Sequence, residues 1–371
     1  MPLAGIAWQA MQYVLGLQRL GYEIWYIEDH GANPYDPRAD SVVMDCAYGV
    51  DYVRRMMEKY GLGDRWAYWD AINDVYHGLG RDAVHRLYRD SDALINLCGA
   101  TRLRDEHLAC PVRIMIDTDP VYEQMKYAAA DPGARFYLKA HTHFFSYGEN
   151  IGGPGWIVPL LDIPWRGTRP PVVLDEWPAQ DGAPPVFTTI ATWENKGKNI
   201  EFEGETYLWS KHTNFLRMIE TPKRAGGAFE MAMRPPTRDI ERTVRDGGWR
   251  LIDPRRVSAS MKDYRAFIQG SRGEFTVAKD IYVRPLSGWF SDRSVCYLAS
   301  GRPVVTMGTG FDRFYPAGEG LLAFLTLEEA VERVKQVNAD YPRHARAARG
   351  IAEDFFASDA VISAMLGECG L

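Results

Sequence analysis

Apolar positions along the chain switch repeatedly between two spacings. Trp8, Met11, Val14 and Leu15 recur at helical intervals over 7–20. After Gly21 the run Glu23-Ile24-Trp25-Tyr26-Ile27-Glu28 reads as a strand. Further helical patterns lie near 50–60, 80–90 and 120–129. Strand-like runs are 93–98, 112–116 and 135–138, with 141–147 a further candidate. The stretch 151–185 is rich in Pro and Gly and reads as a connection. The alternation then restarts, with strands at 186–192, 229–234, 249–253, 273–277, 303–307 and 321–324. Helices are expected near 210–220, 258–268, 291–300 and 326–338. Thr326 and Glu329 have capping-box spacing for the last of these. From about 341 the chain is helical and alanine-rich.

Alternating elements of this length predict an α/β protein built of two doubly wound, Rossmann-like domains facing across a cleft. The expected division is a first domain over 1–165, a linker over 166–185 and a second domain over 186–345. A closing helical segment, 346–371, completes it. Ligands in such sheets sit at the carboxyl ends of strands, so the loops after strands should carry the chemistry. A doubly wound domain normally opens with a strand, yet here a helix comes first. The expectation is therefore that Met1 is an internal start or that the numbered chain is truncated.

Composition narrows the function classes. At 371 residues the chain is long enough for two cores, and 46% hydrophobic with 25% charged residues is ordinary for a soluble protein. The net charge of −6 argues against broad nucleic-acid binding. Cys46, Cys98, Cys110, Cys296 and Cys369 are scattered without CxxC spacing, which suits a reducing cytosol rather than a disulfide framework or a zinc motif. No apolar run approaches the roughly 18 residues of a membrane span, and no signal peptide precedes the first helix; a cytoplasmic protein is expected.

The most informative segment is Gly273–Thr306. A short apolar strand leads to a Ser287-Gly288 loop, a helix start at Ser291-Asp292-Arg293, a stop at Gly301 and a buried strand after Pro303. A loop feeding a helix N-terminus suits a diphosphate, and Arg293 has the forked geometry to pair with one. The same pattern also describes an ordinary helix–strand unit with Ser291 as N-cap.

Tyr297-Leu298-Ala299-Ser300-Gly301-Arg302-Pro303-Val304-Val305 resembles the donor-domain segment of GT-B glycosyltransferases, in which a small-small-Gly-x-Pro-Val-Val turn lies beside the nucleotide-sugar diphosphate. The resemblance is to bacterial enzymes of the family 1/family 4 type and their spore-protein-like relatives. It implies a transferase that takes a nucleotide sugar as donor, needs no metal or other cofactor and binds a small-molecule or saccharide acceptor in the first domain. It also implies a last helix that crosses back to that domain. One departure is plain. Many retaining members carry a Glu, seven residues and a second Glu here, and in this chain Gly288 and Cys296 occupy those places. An inverting reaction is accordingly favoured.

Candidate residues follow from strand ends. Asp117-Thr118-Asp119-Pro120 follows the run 112–116. Asp119 either caps a helix starting at Pro120, serves an acceptor as binding group or base, or joins Asp117 on a metal. On a strand, His141 and His143 share a face, fit for a general base, for zinc or for a structural role. Asp119, His143 and His141 are the candidates for catalysis, and Glu149 is a further cleft candidate. For the donor, the strand ending in Thr192 and Trp193 and the basic Lys196 resemble the first strand and loop of a GT-B donor domain. Lys211, His212 and Arg293 are candidates to offset the charge of the leaving diphosphate. Arg234, Lys279, Asp280, Ser287, Gly288, Trp289, Ser291 and Asp292 complete the cleft set.

Other classes stay open at this point: a GT-B-fold nucleotide-sugar epimerase, a protein that binds a nucleotide sugar without turnover, and a nicotinamide oxidoreductase. Against the last, no intact GxGxxG follows a strand.

Overall fold

A computed structural model describes residues 2–195 and 197–371. The chain opens with the helix Ala4–Arg19 (α1). Strands follow at Tyr26–Glu28 (β1), Tyr35–Asp36 (β2) and Ser41–Val42 (β3), then the helix Ala47–Lys59 (α2). The first half continues through Trp66–Asp70 (β4), Val75–Gly78 (β5), Ala93–Leu97 (β6), Val112–Asp117 (β7), His143–Ser146 (β8) and Trp165–Gly167 (β9). Its main strands form two sheets. One has the order β1-β4-β5, and the other is the parallel set β6-β7-β8-β9. Among the described residues, β1 has a ladder partner only in β4, and β6 only in β7. Among the described residues, no strand precedes α1 to join the two. Asp29 ties their carboxyl ends together instead, accepting hydrogen bonds from Tyr88 and Arg104 and pairing with the buried His107.

The second half contains Val186–Ile190 (β10), the hairpin Ile200–Phe202 (β11) with Glu205–Tyr207 (β12), Ala228–Ala232 (β13), Trp249–Ile252 (β14), Gly273–Thr276 (β15), Val304–Met307 (β16) and Leu321–Phe324 (β17). Six of these form a parallel sheet in the order β14-β13-β10-β15-β16-β17. The central strands read as near-continuous apolar runs because helices cover both faces, and β15 and β16 are buried at every position. The chain leaves β10 toward β14 on one side and returns on the other at β15. This makes the carboxyl ends of β10 and β15 the topological switch point, where ligands of open α/β sheets bind.

The two halves are packed together. Trp8 of α1 donates to the Met261 carbonyl at 2.9 Å, and its ring lies 4.8 Å from that of Trp177. Trp177, in the Pro/Gly-rich connection, is fully buried, so this stretch is core as well as connection. The helix Tyr341–Phe355 lies against the helix Asp292–Ala299. The final helix, Ser358–Gly367, returns to α1. There Ile362, Met365 and Leu366 share a core with Ile114 and Ile116 of β7.

One expected strand is a helix. Residues 135–138 lie within Pro132–Lys139, because Asp131 accepts from the Ala134 N–H at 2.7 Å and Pro132 supplies the first helical residue. The hairpin β4-β5 was not legible as strands, since polar residues interrupt it.

Candidate active site

The carboxyl end of β7 faces the switch point of the second half. Asp117 ends β7 and is buried. Its Oδ2 accepts from Gln124 Nε2 at 2.8 Å and from Ser146 Oγ at 3.1 Å. Burial pushes its pKa up to about 7, the neighbouring Asp119 charge adding to the effect and the hydrogen bonds opposing it.

Asp119 does not cap a helix. The next helix starts at Tyr122, and Val121 before it has φ +84°, a backbone state that strains a β-branched residue. This turn sends Asp119 across the cleft. Its Oδ1 receives Lys279 Nζ at 2.7 Å and a hydrogen bond from the Tyr282 hydroxyl. Burial works to raise the Asp119 pKa, but the Lys279 ammonium and the two hydrogen bonds outweigh it and hold the carboxyl below its ordinary value.

Lys279 follows β15, at the switch point. Its Nζ lies 3.8 Å from the Trp209 ring centroid, a cation–π distance. Asp280 accepts from the Leu208 N–H at 3.0 Å and so anchors the segment that carries Trp209. Lys198 approaches the same ring at 5.2 Å, and Tyr122 of the first half meets it edge-on at 5.3 Å. Lys211 is half-buried, 5.9 Å from the Trp289 ring centroid. Burial lowers its pKa to about 7, and the charges of Arg293 and Lys279 add to this against the pull of Glu274. His212 Nδ1 is buried with no hydrogen-bond partner among the described residues. A cationic, aromatic-walled crevice results, with Asp119 as the facing anion.

The loop before the helix Asp292–Ala299 packs on the first half. Asn150 donates its N–H to the Ser287 carbonyl at 3.1 Å, and Trp289 Nε1 donates to the Thr118 carbonyl at 3.0 Å. Gly288 has φ +74°, and a Cβ there would fall 2.6 Å from the Asn150 nitrogen. Its N–H is taken by the Thr309 carbonyl at 2.8 Å, so it is not free for a phosphate. At the helix start, burial raises the Asp292 pKa against the opposing charge of Arg293. Ser291 is the N-cap without a side-chain hydrogen bond. Arg293 turns inward: Nε donates to Glu274 Oε1 at 2.6 Å and Nη2 to Thr276 Oγ1 at 3.1 Å. Its fork is therefore engaged by the core carboxylate.

The remaining candidates divide plainly. Thr192 is exposed just beyond β10, on the crevice side of the sheet, whereas Trp193 is buried and stacked on Phe215 at 5.9 Å. Lys196 lies outside the described residues. The two histidines are not brought to this crevice. His143 pairs in register with Ile114, and Ser146 with Asp117, so His143 sits toward the amino end of the sheet, about 10 Å along the strands from Asp117. His141 is buried with Nε2 3.0 Å from Asn96 Nδ2 and Nδ1 donating to the Tyr137 carbonyl. Burial lowers its pKa to about 4, leaving a neutral core imidazole. Glu149 is held by Arg169 at 3.1 Å, its pKa raised to about 7 by burial against that pairing. Arg234 forms an ion pair with Asp40 of the β2-β3 hairpin. Sequence reasoning missed Tyr282 and Trp209. Tyr282 is three residues beyond Lys279 on a helical turn, a spacing that puts both on one side; Trp209 stands two residues before Lys211.

No protein-family model matches the chain, and no curated protein sequence matches it. Solved structures do. Sucrose-phosphate synthase from Thermosynechococcus elongatus has a TM-score of 0.54 at 12% identity, covering 97% of this chain and 91% of its own. HepE from Anabaena, solved in complex with UDP, has 0.53 at 9% identity, over 94% of this chain and 100% of its own. AviGT4, a glycosyltransferase involved in avilamycin A biosynthesis, has 0.52 at 13% identity, over 98% and 88%. No helix among the described residues is long and apolar enough to cross a membrane. The chain has the GT-B fold, two Rossmann-like domains facing across a cleft.

Proposed function

We propose that the protein is a glycosyltransferase that moves a sugar from a nucleoside diphosphate to a hydroxyl or amine acceptor. The observation that carries this reading is the pairing of Lys279, at the switch point of the second half, with Asp119, at the strand end of the first. The donor diphosphate takes the place of Asp119 as partner of Lys279. Lys211 and His212 add positive charge and a free ring nitrogen beside it, and Trp209 walls the crevice. Neutralising the leaving diphosphate with side chains in this way calls for no metal.

Losing Lys279 releases Asp119. Its carboxyl, held ionised and weakly basic by the ammonium, becomes more basic and is free to take the proton of the acceptor as the acceptor attacks the anomeric carbon. The sugar–phosphate bond breaks on the opposite side. Inversion follows from a single displacement, and it is supported by the lack of a carboxylate at Gly288 and Cys296. Cys296 is buried in the helix facing Gln12, and Gly288 has no room for a side chain. The first half is assigned to the acceptor, the second to the donor.

The test is a panel of UDP-, dTDP-, GDP- and ADP-sugars incubated with the protein in EDTA, with and without mixed acceptors, reading nucleoside diphosphate release and the product's anomeric configuration. Release with one nucleotide, lost in Lys279→Met, is the expected result. Sugar isomerisation without release, or no turnover with every donor, overturns it.

A further inference from the structure

A second constellation stands apart from this crevice. Cys46 immediately precedes α2, Asp70 ends β4, and His77 lies in β5. Their convergence follows from the pleat. Tyr68 pairs directly with His77 across the β4-β5 ladder, so the two side chains share a face, and Asp70, two residues on, shares it too. The helix α2 packs on that face, with Tyr68 against Gly49 in its first turn. Its N-cap residue, Cys46, is thereby delivered to Asp70 and His77.

The donor atoms face one another. Cys46 Sγ lies 3.4 Å from Asp70 Oδ2 and 3.8 Å from His77 Nε2, and all three donor atoms fall within 4.8 Å of one another. A tetrahedral ion with a sulfur ligand at about 2.3 Å and nitrogen or oxygen ligands at about 2.0–2.2 Å needs donor separations of about 3.3–3.8 Å. The carboxylate is already oriented. Asp70 Oδ1 accepts the Ile72 N–H at 3.0 Å, and Asn73 Nδ2 donates to Oδ2 at 2.7 Å, as outer-shell partners of metal ligands do. Cys46 is buried while His77 is half-exposed, so an ion has a route in and one open position toward solvent.

We propose that Cys46, Asp70 and His77 bind one zinc ion, with water or a small anion as fourth ligand. The mixed sulfur, imidazole and carboxylate set selects zinc over magnesium or calcium, which take oxygen ligands. The ion ties the β4-β5 hairpin to the start of α2. It also pins the base of the loop whose β2-β3 hairpin reaches Arg234 of the second half through Asp40. None of these residues takes part in the donor crevice, so this site stands or falls separately from the glycosyltransferase reading.

The experiment uses the full chain, stripped with chelator and titrated with Zn²⁺ and Co²⁺. One equivalent bound, with a tetrahedral cobalt spectrum and a thiolate-to-cobalt charge-transfer band, is expected. Cys46→Ser and His77→Ala should each weaken binding at least about tenfold, while Cys98→Ser, which removes an exposed thiol elsewhere, leaves it intact. If a variant fails to fold, alkylation of Cys46 in the wild-type chain decides: zinc should slow it, and equal rates with and without zinc overturn the proposal. No stoichiometric binding by the wild type, or binding retained in folded Cys46→Ser and His77→Ala, also overturns it and leaves a hydrogen-bonded trio.

Discussion

Lys279 Nζ and Asp119 Oδ1 meet at 2.7 Å across the cleft, each supplied by a strand end of a different half. A donor diphosphate held as proposed would compete with Asp119 for one ammonium. Asp119→Asn should bind the nucleoside diphosphate selected by the donor panel more tightly, by about 3–10-fold, on the scale of roughly 1 kcal/mol for a half-exposed ion pair. Glycosyl transfer should fall by about a hundredfold or more for loss of the base. Titration calorimetry and turnover, measured on the same preparation, check the opposite signs. Weaker binding with unchanged turnover would refute the competition.

If the donor sits as proposed, Lys211 should make its binding pH-dependent. Its pKa of about 7 in the free protein, against an ordinary 10.5, means that it is half neutral near pH 7. A bound diphosphate favours the charged form, so binding takes up a proton, and affinity should weaken about tenfold per pH unit at most between about pH 7 and 9. Stability moves the other way. Between about 7 and 10.5 the unfolded chain holds more protons than the folded one, so this residue's contribution rises with pH across that window. Lys211→Met should flatten both profiles, in calorimetry and in denaturant melts.

Asp117 has the reverse linkage. Its folded pKa of about 7 lies above the ordinary 3.8, so the folded chain holds the extra proton between those values. Its contribution to stability falls as pH rises from about 4 to 7, by at most about 4 kcal/mol at 1.4 kcal/mol per unit. Urea melts of Asp117→Asn and wild type across that range should diverge in slope. Parallel profiles would place the proton elsewhere.

Gly288 is fixed by two constraints, a positive φ and the approach of Asn150 from the other half. Gly288→Ala should destabilise the protein by about 2–4 kcal/mol, since strain and a backbone clash add. A lowered Tm and loosened association of the halves, read by limited proteolysis, are expected. An unchanged Tm would mean that the loop rearranges freely.

The alternation of strands and helices was legible because parallel strands buried on both faces, such as Val304–Met307 and Leu321–Phe324, are compact apolar runs between helical patterns. Trp66–Gly78 was not, since Asp70, Asn73 and Asp74 break its period to build a turn. Lys279 and Asp119 were visible as charges after strands, and Lys211 as a charge at a helix start. Arg293 looked like a phosphate ligand because the sequence does not show that Glu274, on a buried strand, faces inward to meet it. The histidines were misplaced for a related reason. A strand there was readable, but not that it starts only at His143, leaving His141 before it in the core, nor that His143 stands toward the amino end of the sheet, away from the cleft.

The most direct test of the account is calorimetric titration of the nucleoside diphosphate that the donor panel selects into the wild-type chain and Lys279→Met in EDTA. Metal-independent binding by the wild type, weakened at least about tenfold in the variant, is predicted. Equal affinity in the two proteins, or binding only when a divalent metal is supplied, would contradict a diphosphate held by Lys279.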